Sequence, residues 1–185
     1  MERVIDRGLT VGPRLYFAGP YISQTSGHPG LRLRAQPNHQ RSGITFSHLE
    51  SFNTTRLAVG VPEVINTTHE ALSEVSADIT ITADGVVWSE KEHLQTTQYR
   101  PQELCAAVES EEQFDTYVAV HDYQDKDIKR ALELRVKSIE HGQFINEEIT
   151  MLLKGHQAFI SSNLASSSGG ILSDPIHGNP KTHTE

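Results

Sequence analysis

The sequence has almost no cysteine and no long apolar run. Its single cysteine, Cys105, cannot form an internal disulfide, and its helical surroundings favour a small core residue. The N-terminus carries no apolar segment of the signal-peptide kind, and no run of about 18 apolar residues occurs. Secretion and membrane insertion therefore have no support, and the cytoplasm is the expected compartment.

Clustered positive charge is also scarce. The 185 residues carry a formal net charge of −8, whereas nucleic acids and anionic membranes favour clustered Lys and Arg. The one basic cluster, Arg32, Arg34 and Arg41, lies in a polar loop and is expected to be solvated. We therefore expect neither nucleic acid nor a membrane as a partner. The length suits one domain with one core.

Two common catalytic arrangements are missing. No Gly-x-Ser-x-Gly turn follows a predicted strand, so a serine hydrolase triad has no anchor. Neither common type of glycine-rich phosphate loop is present. The acidic run at 109–112 ends a predicted helix and is expected to face solvent, and His177 and His183 in the polar tail are expected to bind metal only adventitiously.

Hydrophobic periodicity predicts an α/β architecture. Helical spacing predicts a helix end before Gly8 and helices over 61–75, 101–114, 124–134 and 146–154. Short apolar or β-branched runs predict strands over 15–18, 78–82, 116–121, 138–141 and 158–161. About five strands that alternate with about four complete helices specify a parallel sheet with helices outside it. A full α/β barrel needs roughly 250 residues, so this chain would hold part of one.

The other stretches predict a long loop and a tail. Residues 20–60 are rich in Ser, Gly, Pro, Asn, Gln and His without a sustained period, which is typical of a functional or disordered loop. Residues 166–185 begin with Ser-Ser-Ser-Gly-Gly and predict a disordered tail. One domain over residues 1–165 is therefore expected.

Two short runs that end in histidine are the most informative part of the chain. Thr116-Tyr-Val-Ala-Val-His121 and Ser138-Ile-Glu-His141 flank the helix predicted over 124–134. A strand, a helix and a strand in that order form a parallel crossover, which places both histidines at the C-terminal ends of neighbouring strands. Each histidine taken singly also fits an ordinary strand-end residue that is hydrogen-bonded to its neighbours.

Six segments occur in consistent order between about residues 4 and 163. They are Gly8-Leu-Thr-Val-Gly-Pro-Arg-Leu15, Ser23-Gln-Thr-Ser-Gly-His28, Gly60-Val-Pro-Glu-Val64, Thr97-Gln-Tyr-Arg-Pro-Gln-Glu-Leu104, Thr116-Tyr-Val-Ala-Val-His-Asp-Tyr123 and Ser138-Ile-Glu-His-Gly142. Together these segments resemble the metal-dependent amidohydrolases, in the branch of imidazolonepropionase-like and Xaa-Pro dipeptidase-like enzymes.

The resemblance implies a partial TIM-type (β/α) barrel that lacks the first and last barrel units. In the family, one or two divalent metals, usually zinc, lie at the C-terminal mouth and activate a water that attacks a C–N bond. His121 and His141 fall on the fifth-strand and sixth-strand metal-ligand positions. His28 and Tyr123 are candidates for substrate contact, with a solvated loop histidine and a partly buried tyrosine as the alternatives.

The sequence also departs from the family pattern. The His-x-His pair of the first strand and the aspartate of the eighth strand have no counterparts in it. The position of the bridging, carboxylated lysine on the fourth strand falls at about Thr80, and the glycine-rich turn that follows reads Asp84-Gly-Val-Val-Trp88. Two imidazoles alone fall short of the three protein ligands that are typical of a catalytic zinc site.

The resemblance therefore implies metal-dependent hydrolysis of non-peptide or dipeptide C–N bonds, on a small-molecule or dipeptide-like substrate. We expect little or no turnover from this truncated, divergent chain. One alternative is a catalytically dead module that self-associates through open sheet edges near 15–18 and 158–161. The other is an incomplete gene product without a function of its own.

Overall fold

The computed structural model describes residues 2–15, 18–25, 27, 53–74, 79–83 and 95–162. Within these ranges the chain forms six strands and five helices. In chain order they are α1 (Glu2–Asp6), β1 (Tyr21–Ser23), β2 (Thr55–Leu57), α2 (Val61–Glu74), β3 (Ile79–Thr82), α3 (Pro101–Glu112), β4 (Val118–Gln124), α4 (Asp125–Glu133), β5 (Ser138–Phe144), α5 (Glu147–His156) and β6 (Phe159–Ser161).

The strands form one parallel sheet in the order β2-β1-β3-β4-β5-β6. The predicted α/β class is confirmed, and so is the crossover in which α4 joins neighbouring parallel strands β4 and β5. The sheet has one strand more than the five expected, because both β1 and β2 lie inside the stretch at 20–60 that was predicted as a long loop. Among the described strands, β2 and β6 lie at the edges of the sheet.

The strand predicted at 15–18 is not found at its two described residues. Leu15 and Ala18 lie outside any strand, residues 16–17 lie outside the described ranges, and the first described strand begins after Pro20. Proline has no N–H to donate, so it is tolerated just before a strand as well as after one. The first ladder bond of this region starts one residue later, where Tyr21 N donates to Thr54 O at 2.9 Å.

One face of the sheet is apolar and packs against the helices. Ile22, Ile81, Val120 and Ile139 are aligned across four neighbouring strands, and each is at most 1% exposed. The same core cluster includes one residue or more from each of the four longer helices, among them Val64, Leu104, Ile128 and Ile149. Strand side chains alternate between faces, so the opposite face carries polar residues such as Thr80, Thr82 and His121.

The helix boundaries agree with their sequence signals. Pro101 occupies the first turn of α3, and the Glu103 carboxylate accepts hydrogen bonds from Arg100 N at 2.8 Å and Gly60 N at 2.6 Å. Asn146 caps α5 as predicted, because its side chain accepts from Ile149 N at 2.9 Å. Gly8 follows α1 at φ 68°, in the left-handed conformation that glycine adopts readily.

Two predictions about α3 are corrected by its packing. Cys105 is partly exposed rather than a core residue, and its sulfur lies 3.5 Å from Glu109 Oε1 on the next turn. The acidic run at 109–112 is not solvated throughout, because Glu111 is fully buried. The basic cluster at 32–41 and the tail at 166–185 lie outside the described residues. In the described ranges, no helix has the length and apolar character needed to cross a membrane.

Candidate functional site

The sheet brings together the two histidines that the sequence singled out. His121 on β4 and His141 on β5 have ring centres 4.4 Å apart, with an angle of 81° between the ring planes. Tyr123 joins them, because its ring stacks on His141 at 4.9 Å and meets the edge of His121 at 5.0 Å. His121 and Tyr123 are buried. We call these three residues the aromatic cluster.

The strand register alone would not bring the two imidazoles together. His121 pairs with Glu140, and His141 pairs with Asp122, so regular alternation would place the two histidines on opposite faces. His141 instead has a left-handed backbone with φ 78°, and the pairing of β4 with β5 shifts just beyond Asp122. The left-handed residue and the shifted register turn the His141 ring toward His121. A left-handed histidine is uncommon, and His141 itself does not indicate one in the sequence.

Glycine is favoured after His141 for two reasons. Gly142 also has a left-handed backbone, with φ 56°. A Cβ at this position would meet Ile160 Cδ1 at 3.0 Å and Cγ1 at 3.3 Å. The edge strand β6 therefore packs directly against the backbone beside His141. Gly142 is the one sequence signal that points to the unusual turn in β5.

Burial sets the charge state of His141. Desolvation lowers the pKa of the His141 imidazole, and the nearby Glu140 carboxylate opposes that shift only in part. The neutral imidazole is the form that binds a metal ion. Its Nδ1 atom is buried and has no hydrogen-bond partner within the described residues. A buried nitrogen of this kind suits a ligand that accepts a lone pair.

The histidine pair fits a metal ion as two ligands of an incomplete set. Two imidazoles on one tetrahedral zinc, with Zn–N bonds near 2 Å, hold their ring centres roughly 5 Å apart. The observed separation of 4.4 Å is close to that value. Across the described ranges, however, no group of three His, Cys, Asp or Glu side chains is arranged to hold a metal. Thr80, at the expected position of a bridging lysine, is a buried neutral residue paired with Ala119.

A buried polar network lies beside the aromatic cluster on the same face. Thr82 is aligned with His121, and its Oγ1 lies 2.8 Å from Gln98 Oε1 and 3.1 Å from Ser23 Oγ. A Cβ on Gly27 would collide with both Ser23 Oγ and Gln98 Oε1, so only glycine fits there. The sequence did not single out Gln98, because its place depends on contacts between distant parts of the chain.

A separate cleft opens where β1 and β2 end. Its volume is about 750 Å³, and its lining includes Gln24, Val59, Tyr99, Arg100 and Glu103. Neither histidine of the aromatic cluster belongs to this lining. We therefore place the candidate chemistry at the aromatic cluster, where the donor atoms are, rather than in the cleft. His28, the other predicted substrate contact, lies outside the described residues.

The dependence of folding stability on alkaline pH tests the packing around Tyr99. Its hydroxyl donates to Ala58 O at 3.1 Å, and burial raises the pKa of the phenol well above its usual value of 10.0. The unfolded chain ionises this phenol at lower pH than the folded chain does. We expect the associated stability to be complete below pH 10 and to be lost as the pH rises beyond it.

Denaturant unfolding at a series of alkaline pH values measures this effect. The Tyr99→Phe variant should show a weaker loss of stability above pH 10 than the natural chain, because it has no phenol to ionise. Identical alkaline losses in the two proteins would show that Tyr99 is not the buried group responsible.

Comparison with known proteins shows which proteins the chain resembles. No protein-family model matches the chain. The chain is 27% identical to the ochratoxinase of Aspergillus niger over 157 residues, which make up 83% of this chain and 33% of that protein. The chain thus spans about a third of the length of this curated relative.

Solved structures of amidohydrolases are also similar to this chain. An amidohydrolase superposes with a TM-score of 0.77 at 32% identity, over 88% of this chain and 39% of its own. A prolidase in complex with N-methylphosphonate-L-proline superposes with a TM-score of 0.76 at 31% identity, over 88% of this chain and 39% of its own. The six-stranded sheet with its helices therefore corresponds to part of an α/β barrel of the amidohydrolase type.

Proposed function

Because this chain is related to part of an Xaa-Pro dipeptidase-like enzyme of the amidohydrolase superfamily, we propose that His121 and His141 form half of a metal site for the hydrolysis of C–N bonds. The expected metal is zinc, and the expected substrates are small-molecule amides or dipeptide-like compounds. The observation that carries this proposal is the 4.4 Å separation of the two imidazole rings, which a regular strand register would not produce.

Each residue of the aromatic cluster has a distinct part in this site. His121 and His141 would hold the metal as neutral imidazoles, and the lowered pKa of His141 keeps that ring neutral near pH 7. The Tyr123 ring stacks on His141 and limits the orientations available to that imidazole. A divalent metal held here would supply a water of lowered pKa and would polarise a substrate carbonyl.

We also propose that the chain has little or no turnover by itself. Two imidazoles fall short of the three protein ligands of a typical catalytic zinc site. A threonine hydroxyl at position 80 does not supply the negative charge of a carboxylated lysine between two cations. The proposal therefore separates metal binding, which two histidines can support, from hydrolysis, which needs further ligands.

The test is to measure zinc binding and hydrolysis on the same purified chain. We expect one zinc per chain at the aromatic cluster, and hydrolysis of an N-acyl-proline substrate no faster than the rate of the His121→Ala, His141→Ala double variant. The His156→Gln variant is a matched control, because His156 lies on α5 away from the cluster. Zinc-dependent turnover that the double variant abolishes would overturn the proposed inactivity, and zinc binding unchanged in the double variant would overturn the site.

A second function is favoured by one edge of the sheet. The edge strand β6 and its surroundings expose large apolar side chains, with Phe159 67%, Met151 64% and Phe144 56% exposed. Among the described strands β6 pairs with β5 alone, and an open strand edge with exposed apolar side chains is typical of a pairing site for another strand. We propose a second copy of this chain as the partner. A metal-independent dimer in solution that Phe159→Glu dissociates would support this role, and a monomer at high concentration would contradict it.

A further inference from the structure

Arg130 makes contacts that the proposed site does not yet explain. It lies on α4, and its side chain is 18% exposed. Its Nη1 atom donates to Tyr99 O at 2.8 Å, and its Nη2 atom donates to Gln98 O at 2.8 Å and to Ala83 O at 3.1 Å. One guanidinium thus joins two segments of backbone, one at the end of β3 and one before α3.

The segment at the end of β3 contacts His121, and the segment before α3 contacts that first segment. Ala83 N donates to His121 O at 3.1 Å, and Gln98 N donates to Ala83 O at 2.8 Å. The Gln98 side chain also accepts from Thr82, which is aligned with His121 across β3 and β4. A continuous set of hydrogen bonds therefore leads from the Arg130 guanidinium to the backbone that carries His121.

The surroundings of Arg130 fix its orientation. Asp127 Oδ1 lies 3.8 Å from Nη2, and the same oxygen accepts from Thr97 Oγ1 at 2.8 Å. Asp127 is buried, so its carboxylate and the Arg130 guanidinium offset each other's charge where both are partly removed from water. The planar guanidinium reaches three carbonyls at once, whereas a lysine ammonium is a point charge on a flexible stem.

We propose that Arg130 is a positioning residue for His121. It holds the backbone of residues 83 and 98–99 so that the His121 imidazole keeps the orientation it needs beside His141. This inference rests on the proposed metal site for its functional meaning. Its structural content can be tested without any metal, so the two can fail separately.

The experiment compares Arg130→Lys and Arg130→Ala with Arg135→Ala. Arg135 is a matched arginine, because it forms an exposed ion pair with Glu112 at 2.8 Å and makes no contact with this network. The first readout is the imidazole NMR spectrum of the metal-free proteins. The second readout is the zinc affinity.

We expect the His121 and His141 imidazole signals to shift or broaden in folded Arg130→Lys, and to stay unchanged in Arg135→Ala. Zinc affinity should fall between about tenfold and a hundredfold in Arg130→Lys, the usual cost of losing a residue that supports a metal ligand. Unchanged imidazole signals in folded Arg130→Lys would overturn the positioning role. Shifted signals in a chain that binds no zinc would leave the role intact and overturn the metal site.

A measurement on the natural chain covers the case in which both Arg130 variants fail to fold. The Ala83 and Gln98 amides are donors in the hydrogen-bonded set, so they should exchange with solvent only on global unfolding. Fast exchange of these two amides, with slow exchange of core strand amides, would overturn the proposal.

Discussion

The His141→Gly variant is expected to be more stable than His141→Ala by about 1 to 2 kcal/mol, because the left-handed backbone strains any residue with a Cβ. Both variants lose the same imidazole and its stacking on Tyr123. The difference between them therefore isolates the cost of the backbone at φ 78°. Denaturant unfolding of both proteins gives this difference in the free energy of unfolding.

The matched control is the same pair of substitutions at Met151. This residue lies on α5 and is 64% exposed, so neither substitution removes a buried contact. Glycine in a helix is less stable than alanine by about 1 kcal/mol, so the order of the two variants should reverse. Equal stability of the two His141 variants, or a more stable alanine variant, would show that His141 is not strained in the folded chain.

The zinc affinity of both His141 variants should be lower than that of the natural chain by at least about a hundredfold, since one of the two proposed nitrogen ligands is gone. The free energy of unfolding and the zinc affinity should therefore change independently. Glycine relieves the backbone strain that alanine keeps, but neither substitution restores zinc binding. This pattern would identify a backbone strain that serves the site rather than the fold.

The Ile139→Ala variant is expected to lose about 3 to 4 kcal/mol of unfolding free energy, within the range for deleting buried Ile atoms and leaving a cavity. Ile139 is fully buried in the apolar row that packs against the helices. It also precedes the strand segment that carries His141. The loss is a large share of the stability of a typical domain, so the variant should unfold at a much lower denaturant concentration.

Ile65→Ala is the matched control for this core prediction. Ile65 lies on α2 and is 37% exposed, so its truncation removes less buried surface and leaves no closed cavity. The expected loss is about 1 kcal/mol or less. Similar losses in the two variants would contradict the assignment of the helix-covered face as the core.

Local sequence signals were sufficient for most of the elements. The β4-α4-β5 unit follows from two β-branched runs and an amphipathic helix between them, and the Asn146 cap follows from residue type alone. These features depend on residues that are close in sequence. The structure extends β4 beyond the predicted 116–121, so that Tyr123 lies two residues after His121 on the same face and contacts it.

The features that the sequence did not predict depend on distant contacts. The short strand β2 is defined by its pairing with β1 rather than by its own composition. The left-handed backbone at His141 lies where the pairing of β4 with β5 shifts, and that pairing joins residues distant in sequence. The roles of Gln98 and Arg130 depend on hydrogen bonds between residues that are 16 to 47 positions apart.

Zinc titration monitored by the imidazole NMR signals tests the central claim most directly. The chain has ten histidines, so each signal reports whether its own ring binds the metal. We predict that the His121 and His141 signals change together and are complete at one zinc per chain, before the other histidines respond. If the signals of His177 and His183 change first while those of His121 and His141 stay in place, the two strand histidines do not form a metal site.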